Sequence, residues 1–164
     1  MRRTRRLNLR TESVVGTDLS VEDIIPRELD DAAYRRAPDD VVEDTPCYVI
    51  EAIPTDESGS AYSKFWIYVE GTHSVPLKTR YWDDAGVEIK VLSADPTSIR
   101  EIDGIWLAVR ATMRNVLFET YTRLQIAWLT PNPDLPKKYF TQRQLEQGSL
   151  RLPEAVTRAA VEIE

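Results

Sequence analysis

The sequence predicts a mainly β protein: a curved antiparallel sheet with a few short helices. Three observations carry this reading. First, Tyr62–Val69 sorts its side chains with period two: Ser63, Phe65, Ile67 and Val69 on one side, Tyr62, Lys64, Trp66 and Tyr68 on the other. Such sorting marks a strand whose two faces meet different surroundings. Second, Glu70-Gly71-Thr72-His73, Asp83-Asp84-Ala85-Gly86 and Asp103-Gly104 punctuate the chain with residues that tolerate positive φ, so each reads as a hairpin reversal. Third, very few long stretches show helical periodicity.

At 164 residues the chain reads as a single domain, 1–164, long enough to bury a core. Its parts are a basic arm or edge strand over 1–15, an antiparallel meander over 46–130, and a C-terminal loop with short helices over 131–164. A formal net charge of −6 argues against nucleic acid as a partner, because phosphate binding calls for a basic surface. The single cysteine, Cys47, excludes an intrachain disulfide and any multi-cysteine metal site; in its strand pattern it reads as a small buried apolar residue. No apolar run approaches the length of a membrane-spanning helix. The opening Arg2-Arg3-Thr4-Arg5-Arg6 has the charge of a signal-peptide start. Asn8, Arg10, Glu12 and Ser13 break the apolar stretch that a signal peptide needs next, so none is read in this chain.

In order, the arginine-rich arm reads as a solvated terminus or edge strand. Ser20, with Asp23 three residues on, caps a one-turn helix closed before Pro26. Leu29–Arg36 is expected to be a short strand, with turns at Pro38-Asp39-Asp40 and Glu43-Asp44-Thr45. Strands come next over Cys47–Ile53, Tyr62–Val69, Val75–Trp82 and Val87–Ser93. Ala94–Ile102 is expected to continue the last of these past Pro96, which requires an edge position or a bulge. Ile105–Met113 and Val116–Leu129 form the last long pair. Pro131–Pro136 ends the sheet, Thr141 caps a short helix through Glu146, and residues from Pro153 to Ile163 form a weak amphipathic helix or a frayed tail.

The chain shows little sign of catalytic chemistry. Its only histidine, His73, falls in a turn with no serine or cysteine motif and no metal-ligand spacing around it. Asp30-Asp31, Asp39-Asp40 and Asp83-Asp84 sit beside turns, where aspartate is favoured for backbone reasons, and none has the spacing of a calcium loop. No glycine-rich phosphate loop is present. The expectation is a protein that is not an enzyme and has no cofactor or metal.

What remains is the apolar face of the sheet. The residues expected to line a cavity are Phe65, Ile67, Val69, Leu77, Ile89, Val91, Leu107, Val109, Ile126 and Trp128. A curved sheet with one apolar face and little helix to cover it either closes on itself or leaves a concavity suited to acyl chains.

At these residues the chain resembles the outer-membrane lipoprotein-sorting family, the LolA/LolB-like periplasmic proteins, in the branch found beside large membrane exporters. The resemblance runs through Gly16–Asp23, Pro46–Pro54, Tyr62–Lys64, Val75–Lys78, Tyr81–Gly86, Lys90–Leu92, Ile102–Trp106 and Phe140–Glu146, covering roughly residues 2–147. It implies an incomplete barrel with helices plugging its open side, a periplasmic location, and a cavity sheltering lipid or lipoprotein acyl chains. It implies no catalytic residue. Family members carry a signal peptide, a helix and several strands ahead of the arginine-rich segment, so the chain is expected to be N-terminally truncated. Its uncovered edge is expected to be completed in a homodimer. The alternative is a protein-interaction module that binds a membrane exporter or a peptide through the curved sheet.

Overall fold

The structure is a computed structural model and describes residues 12–14, 16–25, 27–131, 133, 135–141, 143–144 and 161–162. The strands are β1 (Ala32–Val42), β2 (Thr45–Pro54), β3 (Lys64–Glu70), β4 (Pro76–Trp82), β5 (Glu88–Ala94), β6 (Ile99–Ile102), β7 (Ile105–Ala108), β8 (Arg110–Asn115), β9 (Thr120–Gln125), β10 (Trp128–Leu129) and β11 (Val161–Glu162). Seven of them form one antiparallel sheet in the order β1-β2-β3-β4-β5-β8-β9, while β6 pairs with β7 and β10 with β11. The sheet does not close: β1 and β9 are its outer strands. The fold is mainly β, as expected. The helical elements are short: α1 (Val21–Ile24), helical residues at 143–144, and a few 3-10 turns among the described residues.

Local chemistry explains the meander. Val42 pairs with Thr45, so the β1–β2 loop is two residues long, and Glu43 and Asp44 both take positive φ (45° and 65°). Asp103 (49°) and Gly104 (78°) repeat this geometry between β6 and β7. Two successive positive φ values give the turn whose twist matches that of paired strands. At α1, the Asp23 carboxylate accepts the Ser20 backbone N–H at 2.7 Å, one half of a capping box.

Residues paired across strands share a face, so the register defines two surfaces. On the first lie the rows Ala52–Phe65–Tyr81–Lys90–Asn115–Thr120 and Ile50–Ile67–Thr79–Leu92–Met113–Thr122. On the opposite face lie Arg35–Glu51–Trp66–Arg80–Val91–Arg114–Tyr121. Part of this second surface is polar and paired, while Val49 and Tyr68 of its next row are buried in a core. Arg35 pairs with Glu51 at 2.6 Å, the Trp66 indole donates to Glu51 at 3.1 Å, Arg80 pairs with Glu88, and Lys64 and Arg80 lie over the Trp82 ring.

One buried core, Leu19, Ala32, Ala52, Tyr62, Phe65, Tyr81 and Met113, gathers on the first face. A second joins Val42, Cys47, Val49, Tyr68, Val75, Leu77 and Ala94, with Ile99 and Ala108 of the β6–β7 hairpin packed against it. Burial raises the pKa of the Cys47 thiol, as befits its place in this core. The hairpin also touches the β3–β4 turn, where His73 stacks on Trp106 with ring centroids 3.8 Å apart.

Several expected boundaries are corrected. Leu29–Asp31 is a 3-10 turn, and the strand runs on through Pro38-Asp39-Asp40, where a register shift between Ala37 and Asp40 takes the place of a turn. An outer strand tolerates such a proline because its missing N–H has no ladder partner to serve. Ala94–Ile102 does not continue β5. The Asp95 side chain accepts the Thr97 N–H at 2.8 Å and caps a 3-10 turn over Pro96–Ser98, from which β6 departs. Ile105–Met113 is divided at Val109, whose N–H donates to Ser98 and whose carbonyl accepts from Ile126, so neither group serves one continuous ladder. Val116–Leu129 opens with a turn in which Asn115 Oδ1 accepts the N–H groups of Leu117 and Phe118, each at 3.1 Å. At the C-terminus, Val161–Glu162 pairs as a strand with Trp128–Leu129, in place of the expected weak helix or frayed tail. The basic arm up to residue 11, the helix beyond Gln144 and the tail over 145–160 lie outside the described residues.

Candidate functional site

One segment crosses the whole first face. Residues 18–25 and 27–31 form a strap that begins at the outer strand β9, where Asp18 Oδ2 accepts from Thr122 Oγ1 and the Asp18 N–H donates back to Thr122 Oγ1, both at 2.9 Å. Thr120 Oγ1 donates to the other Asp18 oxygen. In the middle, Glu22 is buried and accepts from Ser60 Oγ and the Ala61 N–H, while Lys90 Nζ donates to Asp23 at 3.0 Å. The Tyr62 hydroxyl donates to the other Asp23 oxygen at 2.7 Å, and burial, reinforced by the Asp23 charge, pushes the phenol's pKa far above its ordinary value. The strap ends at β2, where the Asp31 carbonyl accepts from the Thr55 N–H at 2.9 Å.

The strap lies over the row of Phe65 and Tyr81 and fills it. Beside it the neighbouring row is less covered: Ile50, Ile67 and Leu92 are half-buried, as is Leu124 one row further on, while Thr79 and Met113 are buried. Strands lie about 4.8 Å apart, so this row runs for roughly 19 Å from β2 to β8. It is the candidate site: an aliphatic band on an open sheet, flanked by the strap.

The expected lining residues fall in several separate places. Phe65 and Ile67 lie on the first face, Phe65 under the strap and Ile67 in the band. Ile89 also packs against the first core. Leu77 is buried in the second core, and Val69 pairs with Tyr48 and Pro76. Val91 lies in the opposite-face row with Arg80 and Arg114. Leu107 belongs to the separate β6–β7 hairpin, Val109 is buried at the corner before β8, Ile126 comes just after β9, and Trp128 is exposed in β10. Ile50, Leu92, Met113 and Leu124 join the band without having been expected there. A register shift between Tyr81 and Trp82 lets Ile89 and Leu92, of opposite parity, meet the same core. Simple alternation along β5 could not show this.

Two surface grooves differ from the band. One, of about 660 Å³, is lined chiefly by polar groups, among them Arg110, Arg123, Asp95 and Thr112; the other, of about 410 Å³, lies over Tyr34, Ile53 and Lys64. Asp95 in the first has its carboxyl pKa held down at about 2 by hydrogen bonds from Thr97 and Arg110. Among the described residues no three His, Cys, Asp or Glu side chains come together as a metal site requires. No described helix is long and apolar enough to cross a membrane.

Comparison with known proteins places this geometry. Residues 1–147 match the model of a family described as "Uncharacterized protein". No curated protein matches the chain. Among solved structures, a domain assigned to outer membrane lipoprotein sorting from Vibrio parahaemolyticus superposes with a TM-score of 0.74 at 24% identity, over 84% of this chain and 57% of that one. A DUF1329 family protein from Desulfovibrio piger gives 0.76 at 24% identity, over 85% and 58%. A LolA superfamily protein from Nitrosomonas europaea gives 0.62 at 20% identity, over 85% and 63%. The chain thus spans less than two thirds of the length of each. At these identities the likeness is one of fold, and at that level the resemblance to the lipoprotein-sorting proteins holds.

Proposed function

We propose, for a chain that belongs to the family matched over residues 1–147 and carries the fold of the LolA superfamily and lipoprotein-sorting structures, a non-enzymatic carrier function. The protein shelters the acyl chains of a lipid or lipoprotein during transit through the periplasm. The observation that carries this reading is the half-covered band of Ile50, Ile67, Leu92 and Leu124 on a sheet that does not close. Each methylene taken from water onto such a band contributes about 0.8 kcal/mol. A long chain therefore supplies ample binding energy even after the cost of ordering it. Phe65 and Ile89 pack in or against the core beside the band; Leu77, Val69, Val91, Leu107, Val109, Ile126 and Trp128 lie elsewhere in the fold, and the carrier reading does not use them.

Two outer strands invite a partner. β1 is protected by Arg35, Arg36, Asp39 and Asp40, whereas β9 offers Tyr121, Thr122 and Leu124 with fewer charges. A homodimer through β9 is the arrangement we favour, and light scattering that finds a monodisperse monomer rejects it.

A second reading, an interaction module for a membrane exporter, draws on the β8–β9 hairpin, where Leu117, Phe118 and Tyr121 stand exposed. Native mass spectrometry of the purified protein, followed by lipid extraction, separates the two. Co-purified fatty acid or phospholipid, or uptake of added oleate, supports the carrier. A protein that stays empty in both trials is the interaction module instead.

A further inference from the structure

The strap holds a guanidinium with two vacant donors. Arg27 lies over the Phe65 ring at 4.4 Å and within 5.8 Å of the Tyr81 ring centroid, and its guanidinium also interacts with the Tyr81 hydroxyl. Its Nε and Nη2 atoms are buried and have no hydrogen-bond partner. Buried donors of a charged group are costly to leave unfilled, and they are rare in folded proteins. The two atoms are adjacent on one edge of the guanidinium. Their N–H groups run parallel, the geometry that engages both oxygens of one carboxylate or phosphate.

Neither Glu22 nor Asp23 fills this fork. Glu22 is taken by Ser60 and Ala61, and Asp23 by Ser20, Tyr62 and Lys90. Arg27 also lies above the row adjoining the aliphatic band, since Phe65 and Ile67 are two residues apart on one face of β3. An acid group at Arg27 would therefore have the band beside it for its tail.

We propose that Arg27 is the anchor for the acid head group of a single-chain anionic amphiphile, a carboxylate or phosphate monoester at the end of a long alkyl chain, held by Nε and Nη2 with its tail along Ile67 and Leu92. The inference rests on the carrier reading and names its ligand class. Binding requires the strap to shift enough to admit the head group. The aromatic rings under Arg27 keep the guanidinium in place as it does so.

The test compares oleate, methyl oleate and inorganic phosphate by equilibrium dialysis against the wild-type protein, Arg27→Met and Arg27→Lys. Wild-type protein is expected to bind oleate at least tenfold more tightly than methyl oleate, which has the same tail without the charge. Arg27→Met abolishes that difference, and Arg27→Lys, which keeps the charge and loses the fork, restores only part of it. Without ligand, Arg27→Met is expected to melt at a higher temperature than wild type, because it removes unfilled buried donors. Equal binding of oleate and methyl oleate by wild-type protein overturns the anchor and leaves the carrier reading standing; this comparison needs no variant to fold. Phosphate binding as tightly as oleate identifies a free-anion site and overturns the amphiphile. Binding of neither oleate nor methyl oleate removes both the anchor and the carrier.

Discussion

The Lys90 ammonium donates to the Asp23 carboxylate across 3.0 Å, with side chains 14% and 0% exposed, and so joins α1 to a central strand of the sheet. A pair this buried is costly to break from one side, because the surviving charge keeps its desolvation penalty. Asp23→Asn is expected to lose about 3 kcal/mol of unfolding free energy. Adding Lys90→Met should restore part of it. Urea denaturation of the two single variants and the double variant measures the coupling.

Glu70 holds the β3–β4 turn by accepting the N–H groups of Thr72 (2.8 Å), His73 (2.6 Å) and Val75 (3.1 Å). Burial works to raise the pKa of its carboxyl, but these three donors prevail and keep it below the ordinary value of 4.5. The folded state therefore binds this proton less readily than the unfolded chain. Its stabilising contribution is full above 4.5 and is lost as pH falls through the lowered folded pKa. Glu70→Gln is expected to cost about 2 kcal/mol at pH 7 and to flatten the acid limb of the stability curve. Thermal melts between about pH 7 and pH 3 read both effects.

The β1–β2 turn places Glu43 and Asp44 at positive φ, where side chains with a Cβ are strained. Replacing the pair with Asn-Gly, the residues this turn type favours, is expected to stabilise the protein by about 1 kcal/mol. The denaturation midpoint should rise with an unchanged slope.

Leu117 and Phe118 are 58% and 75% exposed at the tip of the β8–β9 hairpin. Changing both to Ser is expected to move stability by less than about 0.5 kcal/mol. If this tip contacts a partner, pull-down of that partner is lost while oleate binding persists. Loss of oleate binding instead would place the tip within the lipid site.

Turn chemistry was the most legible part of the fold. Asp103-Gly104 and Asp83–Gly86 announce reversals in their own residues, as Ser20 and Asp23 announce a cap. Strand interruptions were less legible, because they depend on partners elsewhere. Pro38 reads as a turn until its place on an outer strand is known, and Val109 reads as mid-strand until Ser98 and Ile126 are seen to divide its backbone. For the site, Phe65 and Ile67 come from alternation alone, whereas Leu92 required the register shift beside Trp82. Arg27 gave no local sign at all. Its meaning comes from Phe65 and Tyr81, which lie far along the chain.

The strap's contacts have a bearing on the order of assembly. β1 to β5 each pair with their sequence neighbour, so the meander is able to zip hairpin by hairpin with little loop entropy to overcome. Asp18 meets Thr122 across 104 residues and Asp23 meets Lys90 across 67, so the strap docks only after its distant partners exist. A unit that arrives last on a finished sheet is also able to leave first. Amide exchange in residues 18–25 and 27–31 should then proceed through an opening smaller than global unfolding, with β2 to β5 still protected. The apolar band would be reachable by ligand without the sheet ever coming apart.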